Sequence, residues 1–331
     1  MDKRQQWKEL LQEMIAAGAS DLHAAPGQCV QIRCDGELKP LSFVPTGTFM
    51  EHVLEELLSS EQRAALRTGA VDFSWTYENR RLRGNAYRMQ DGVGIALRLL
   101  PDRIMTPEEI GMPDAMRAAA DVRDGLVLVC GPTGAGKTTS LAALIEIVNR
   151  TRRAHIIMLE DPIEYRFAPD LAFFSQREAG RDFMAFPDAV RAALREDPDI
   201  LLVGEIRDRA TMEAALMAAE TGVLVFGTLH TRSAVQTALR VEGMFPADVR
   251  DAVRARFADA AAGIFAQRLL PRSAGGRVAA IEALCPTPAV RNILRQGNYS
   301  QLASVMMSGA PQGMQTAEMA EAALRAKGMI V

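Results

Sequence analysis

Gly131-Pro132-Thr133-Gly134-Ala135-Gly136-Lys137-Thr138 fits the pattern G-x-x-x-x-G-K-[ST]; an apolar run, Gly125 to Cys130, precedes it and apolar residues at helical spacing follow. Glycines are needed because the loop must fold back with its N–H groups pointing inward, and the N-terminus of the next helix adds favourable potential for phosphate oxygens. Such a loop is expected to hold ATP, with Lys137 at the β/γ-phosphates, Thr138 on Mg2+ and Thr139 beside the α-phosphate.

Three further clusters end apolar runs. Leu159-Glu160-Asp161-Pro162-Ile163-Glu164-Tyr165 supplies acids, and a carboxylate beside a γ-phosphate can orient and polarise an attacking water. Asp199-Ile200-Leu201-Leu202-Val203-Gly204-Glu205 is an apolar run ending in an acid, with Gly204 where many nucleotide-binding strands keep an aspartate. Glu205 is therefore expected to reach Mg2+ through water rather than directly. Thr228-Leu229-His230-Thr231 adds a histidine, read as a nucleotide sensor.

These groups converge only if the runs are parallel strands whose carboxyl ends share one edge of a sheet. The pattern supports that: strands are expected at 125–130, 155–160, 199–204 and 222–228, alternating with helices at about 136–150, 186–195 and 209–220. Beyond Pro246 the chain reads as mainly helical, with strands near 264–270 and 277–284. Before residue 100 the pattern differs. A helix over 3–17 is followed by strand-like segments near 28–34, 71–78, 81–89 and 93–99, with Asp35-Gly36 and Asp91-Gly92 as turns and a helix over 49–68. Pro101, Pro107, Gly111 and Pro113 punctuate the junction, so the expectation is an α+β domain over 1–100, a hinge-like linker over 101–112 and an α/β nucleotide-binding domain over 113–331.

With 331 residues, 48% of them hydrophobic, the chain can fill two cores. Lysine plus arginine (38) nearly balances aspartate plus glutamate (41), and aromatic residues are only 5%, which argues against a nucleic-acid partner. No run approaches the roughly 18 apolar residues of a bilayer-spanning helix, so no direct membrane insertion is expected. Cys29, Cys34, Cys130 and Cys285 are scattered and read as reduced structural residues of a cytosolic protein.

Taken together and in this order, GPTGAGKT, LEDPIEY, LLVGEIRD and TLHT resemble the Walker A, Asp box, Walker B and His box of the type II/type IV secretion ATPases. Ala19-Ser20-Asp21-Leu22-His23 near the start and Ala289-Val290-Arg291-Asn292-Ile293-Leu294-Arg295 near the end extend the likeness to nearly the whole chain, and the latter is similar to a stretch found in the pilus-retraction branch. The resemblance implies a PAS-like N-terminal domain joined to a RecA-like P-loop ATPase domain, assembled as a homo-hexamer. It further implies a cytoplasmic location, peripheral at the inner face of the membrane, with an inner-membrane pilus platform protein as partner. By the same resemblance Glu164 activates water, Glu205 is the Walker B acid, His230 the His-box residue, and Arg83 and Arg98 are arginines that reach the nucleotide when the domains close. The retraction branch is favoured because 267–278 carries no four-cysteine insert, which extension and secretion motors generally have. Those motors remain the alternative, and a DNA-translocating RecA-like motor a more distant one. Val223 replaces a histidine that relatives often carry.

Overall fold

The computed structural model describes residues 2–34, 36–78, 80–101, 103–273 and 275–330; Asp35 of the first expected turn lies outside them. The chain divides into two compact units, Met1–Arg103 and Ile104–Val331.

The first unit is built on six antiparallel strands, β1 (Asp21–Ala24), β2 (Gln31–Cys34), β3 (Glu37–Pro40), β4 (Ala70–Tyr77), β5 (Arg80–Met89) and β6 (Gly92–Leu99), in the order β3-β2-β1-β6-β5-β4. Trp7, Leu11 and Met14 recur at helical spacing in the helix Lys3–Ala16. With Met50 and Val53 of the helix Gly47–Leu57 they bury Leu22, Leu82, Ile95 and Leu97 of the sheet. The helix expected over 49–68 is broken: Leu58 is extended, and Ser59 with Gln62 forms a capping box that starts a separate helix, Ser60–Ala65.

The second unit carries seven strands: β7 (Gly125–Cys130), β8 (His155–Glu160), β9 (Phe173–Glu178), β10 (Ile200–Val203), β11 (Leu224–Leu229), β12 (Ala261–Pro271) and β13 (Arg277–Leu284). Their order is β13-β12-β7-β11-β10-β8-β9, and every neighbouring pair is parallel except β12–β13. Both faces are covered, which is why the central strands read as unbroken apolar runs. Leu126, Leu128, Ile157, Leu201 and Val225 face the helices Phe186–Ala193, Arg209–Glu220, Ala234–Gly243 and Arg250–Ala260. Val127, Val129, Ile156, Leu202 and Phe226 face the helix Lys137–Thr151 and the buried Met116. The segment read as a linker, 101–112, includes a one-turn helix, Pro107–Ile110, capped by Thr106 and Glu109, and buries Ile110 and Met112 in this second core.

Candidate nucleotide site

Each strand of a parallel sheet delivers its carboxyl end to the same edge, and that geometry brings Lys137, Glu205 and His230 together. After β7 the loop Gly131–Gly136 turns back into the helix that begins at Lys137. Two of its glycines answer to space as well as to backbone angle. Gly131 has φ +153°, and a Cβ there would lie 2.4 Å from the Gln267 carbonyl oxygen of β12; Gly136 has φ +84°, and a Cβ would sit 3.3 Å from Gln267 Nε2. The loop is thus laid directly on the neighbouring strand. Gln267 Nε2 donates to the Ala135 carbonyl oxygen at 2.6 Å and fastens it there.

Lys137 Nζ donates to the carbonyl oxygens of Gly131 (2.8 Å) and Pro132 (3.2 Å) and approaches His230 Nδ1 at 3.4 Å. Burial lowers its pKa from the ordinary lysine value, while Cys130 and the charges of Glu205 and Glu164 pull it back up. Both acids therefore lie within electrostatic reach of the ammonium. Glu205, one residue beyond Gly204 at the end of β10, is bound at each oxygen: Oε1 lies 3.0 Å from His230 Nε2 and Oε2 lies 2.8 Å from Arg207 Nη2. The Arg207 hydrogen bond holds its carboxyl below the usual range, against the opposing effect of burial and with help from His230. The contacts are mutually consistent with one neutral tautomer, in which Nε2–H donates to Glu205 while Nδ1 accepts from Lys137.

Glycine at 204 has a local reason. Its N–H donates to the Leu159 carbonyl oxygen at 2.8 Å, and a Cβ would stand 3.0 Å from that oxygen and 3.2 Å from Glu160 Cα. Residues with side chains do not fit comfortably where β8 and β10 end in contact. Glu164 is half-buried five residues from Leu159, in the turn after β8. Thr138 is half-buried in the first turn of the Lys137–Thr151 helix, and Thr139 Oγ1 lies 2.9 Å from the Tyr165 hydroxyl, so Tyr165 borders the position expected for an α-phosphate.

Arg83 and Arg98 belong to the first unit. They are direct cross-strand neighbours in the β5–β6 register, so their side chains share one face of that sheet, and both are exposed. Arg98 Nε donates to Asp21 Oδ1 at 2.8 Å. Burial works to raise Asp21, yet the Ser20 hydroxyl and Arg98 hold its carboxyl below the ordinary value.

Sequence reasoning passed over Tyr165, Arg207, Gln267 and Glu160. Gln267 carried only a weak signal, since it and Arg268 together interrupt the otherwise apolar run Gly263–Leu270. Glu160 is 5% exposed at the end of β8; it accepts from Gln176 Nε2 at 3.3 Å, and the same amide donates to the Tyr165 carbonyl oxygen at 2.8 Å. Desolvation, reinforced by the nearby charges of Glu164 and Glu178, pushes it up to about 8. A glutamate in the unfolded chain loses its proton near 4.5, whereas folded Glu160 keeps its proton to about 8. Between these values the unfolded state binds fewer protons, so stability falls as pH rises. Glu160→Gln is expected to remove that loss, on the order of a few kcal/mol across about pH 5 to 8 relative to the native chain, as read by urea unfolding at each pH. Parallel pH profiles for the two proteins would exclude this protonation.

The helix Pro288–Gln296, which carries the retraction-like stretch, buries Val290, Ile293 and Leu294. Arg291 Nη1 donates to the carbonyl oxygens of Ala258 and Asp259, whereas Asn292 is exposed. Arg291 and Leu294 therefore hold this helix on the unit, and a substitution at either disturbs packing as well as any contact.

A family model described as Type II/IV secretion system protein matches residues 3–283. The "Type IV pilus retractation ATPase PilT" of Pseudomonas aeruginosa is 42% identical over 325 residues, covering 97% of this chain and 94% of that protein. A "Twitching motility protein" of Neisseria gonorrhoeae is 38% identical over 304 residues, covering 90% of this chain and 81% of its own length. Among solved structures, "Crystal Structure of the Pilus Retraction Motor PilT and Bound ADP" superposes with a TM-score of 0.91 at 40% identity, covering 98% of this chain and 94% of that one. The loop, the acids and the histidine on one sheet edge, together with a family match over most of the residues, place this chain in the type II/IV secretion system protein family.

Proposed function

We propose that this chain is an ATP-hydrolysing motor that powers retraction of type IV pili, working as a ring of six copies against a platform protein at the inner face of the membrane. The observation that carries the reading is the meeting of Lys137 with Glu164, Glu205 and His230 beside a glycine-rich loop. Similarity over nearly the full length of both chains to a protein named a pilus retraction ATPase selects retraction within the family.

The residues divide the work. Backbone N–H groups of Gly131–Gly136 and the start of the following helix surround the β- and γ-phosphates, and Lys137 exchanges the carbonyls of Gly131 and Pro132 for phosphate oxygens. Glu164 orients the attacking water and receives its proton. His230, bridging Lys137 and Glu205, links occupancy of the phosphate position to the Walker B strand. Oxygen donors suit Mg2+, and the Thr138 hydroxyl would hold it directly and Glu205 through water. The cation would supply charge neutralisation at the phosphates.

Residues 1–100 form the moving lobe, with the hinge inside 101–112 and the ATPase lobe over 113–331. The antiparallel sheet with helices packed on it supports a PAS-like reading of the first lobe. Arg83 and Arg98 neutralise transition-state charge only on closure, which couples chemistry to motion. Deleting the gene is expected to leave cells with excess surface pili and no twitching, counted by electron microscopy and stab-agar spreading. Cells without pili would point instead to an extension motor.

A further inference from the structure

Glu164 has to be aimed, yet residues 163–169 form neither helix, strand nor turn. A carboxylate on an unsupported loop would not keep the placement that activating a water requires, since a displacement of about 1 Å can cost on the order of a hundredfold in rate. Support comes from the edge strand β9. Phe174, Gln176 and Glu178 alternate along it and so share one face, and each holds a different residue of the loop. The Phe174 ring stacks on Phe167 with centroids 5.0 Å apart, Gln176 Nε2 donates to the Tyr165 carbonyl oxygen at 2.8 Å, and Glu178 Oε2 accepts from the Ile163 N–H at 3.2 Å.

As the partner on β9 moves forward by one alternate position the partner on the loop moves back by one, so the loop lies antiparallel along the strand. Ile163, Tyr165 and Phe167 are accordingly buried, at 6%, 4% and 8% exposure, whereas Glu164 is only half-buried and Arg166 is exposed. A slip of one residue would exchange the two sets and bury the carboxylate. Gln176 is the middle anchor. Its amide also donates to Glu160 Oε1 at 3.3 Å, so one carboxamide ties the last residue of β8 to the residue after Glu164. Tyr165 in turn reaches the phosphate-loop helix through its hydroxyl, 2.9 Å from Thr139 Oγ1.

Building on the assignment of water activation to Glu164, we propose that Gln176 is a positioning residue for hydrolysis: from the edge strand it fixes the register of residues 163–167 and with it the direction in which Glu164 points. The polar composition of β9 on this face then serves the reaction as well as the sheet edge.

Steady-state ATP hydrolysis by full-length Gln176→Met, whose side chain fills similar space without a donor, tests this. The expected result is a kcat about 10- to 100-fold lower with KM within about threefold of native, because no group of the glycine-rich loop is removed. In a Glu164→Gln background the same substitution is expected to change kcat by less than about threefold, since a residue that acts only through Glu164 has nothing left to position. Gln176→Asn, which holds its amide one methylene short of Tyr165, carries the same expectations should the methionine variant fail to fold. Native kcat in a folded variant overturns the proposal, and so does a loss that multiplies with that of Glu164→Gln. Failure of both variants to fold overturns it too, leaving Gln176 as scaffold only. Native turnover in Glu164→Gln alone sinks the water-activation reading instead.

Discussion

Lys137→Ala should abolish ATP hydrolysis, lowering turnover by at least about a thousandfold while leaving the fold intact. The ammonium is the one cationic side chain that the glycine-rich loop itself supplies, and it is already held by two loop carbonyls and the imidazole of His230. Removing it leaves the carboxylates of Glu164 and Glu205 facing incoming phosphate without the ammonium charge, so repulsion is added to the loss of attraction. Stability should change little, because Lys137 is only half-buried and its partners remain accessible to water. A phosphate-release assay alongside thermal melting checks both halves. A variant that melts normally and keeps more than about a tenth of native turnover would show that catalysis does not depend on this loop.

Glu164→Gln separates chemistry from binding. The amide has the same shape but neither charge nor basicity, so turnover is expected to fall by about 10²- to 10⁴-fold while ATP affinity is retained or slightly strengthened. The neighbouring acids make the assignment selective. Glu160 keeps its proton to about 8 and has no free basicity at neutral pH, and Glu205 is tied at both oxygens to Arg207 and His230. Single-turnover kinetics on ATP-loaded protein read the step directly. Native rates in Glu164→Gln would move the water-activating role to another group on this rim.

Much of the second sheet was legible because its physics is local. Buried parallel strands must be apolar throughout, so Gly125–Cys130 and His155–Glu160 declared their bounds, and the helix Arg209–Glu220 follows from the Asp208 cap before it. Edge strand β9 escaped notice: Phe173 is 66% exposed and Ser175, Gln176 and Arg177 follow it, a composition that an edge tolerates and a propensity reading passes over. Strands β1 and β3, four residues each, are too short to show alternation. In the site, glycine-rich loop, acids and histidine stood at the ends of readable strands. Gln267 and Tyr165 were hidden because their partners, Ala135 and Thr139, are 132 and 26 residues away, distances that only tertiary structure spans.

The row Lys137, His230, Glu205 joins the tips of three adjacent strands or their extensions, and its polarity runs one way only. An imidazole with a single proton has one giving side and one receiving side, and here each is already matched. One ring thus ties the lysine that follows β7 to the acid that follows β10, so drawing Lys137 toward another partner leaves Nδ1 without its donor while the contact with Glu205 stays in place.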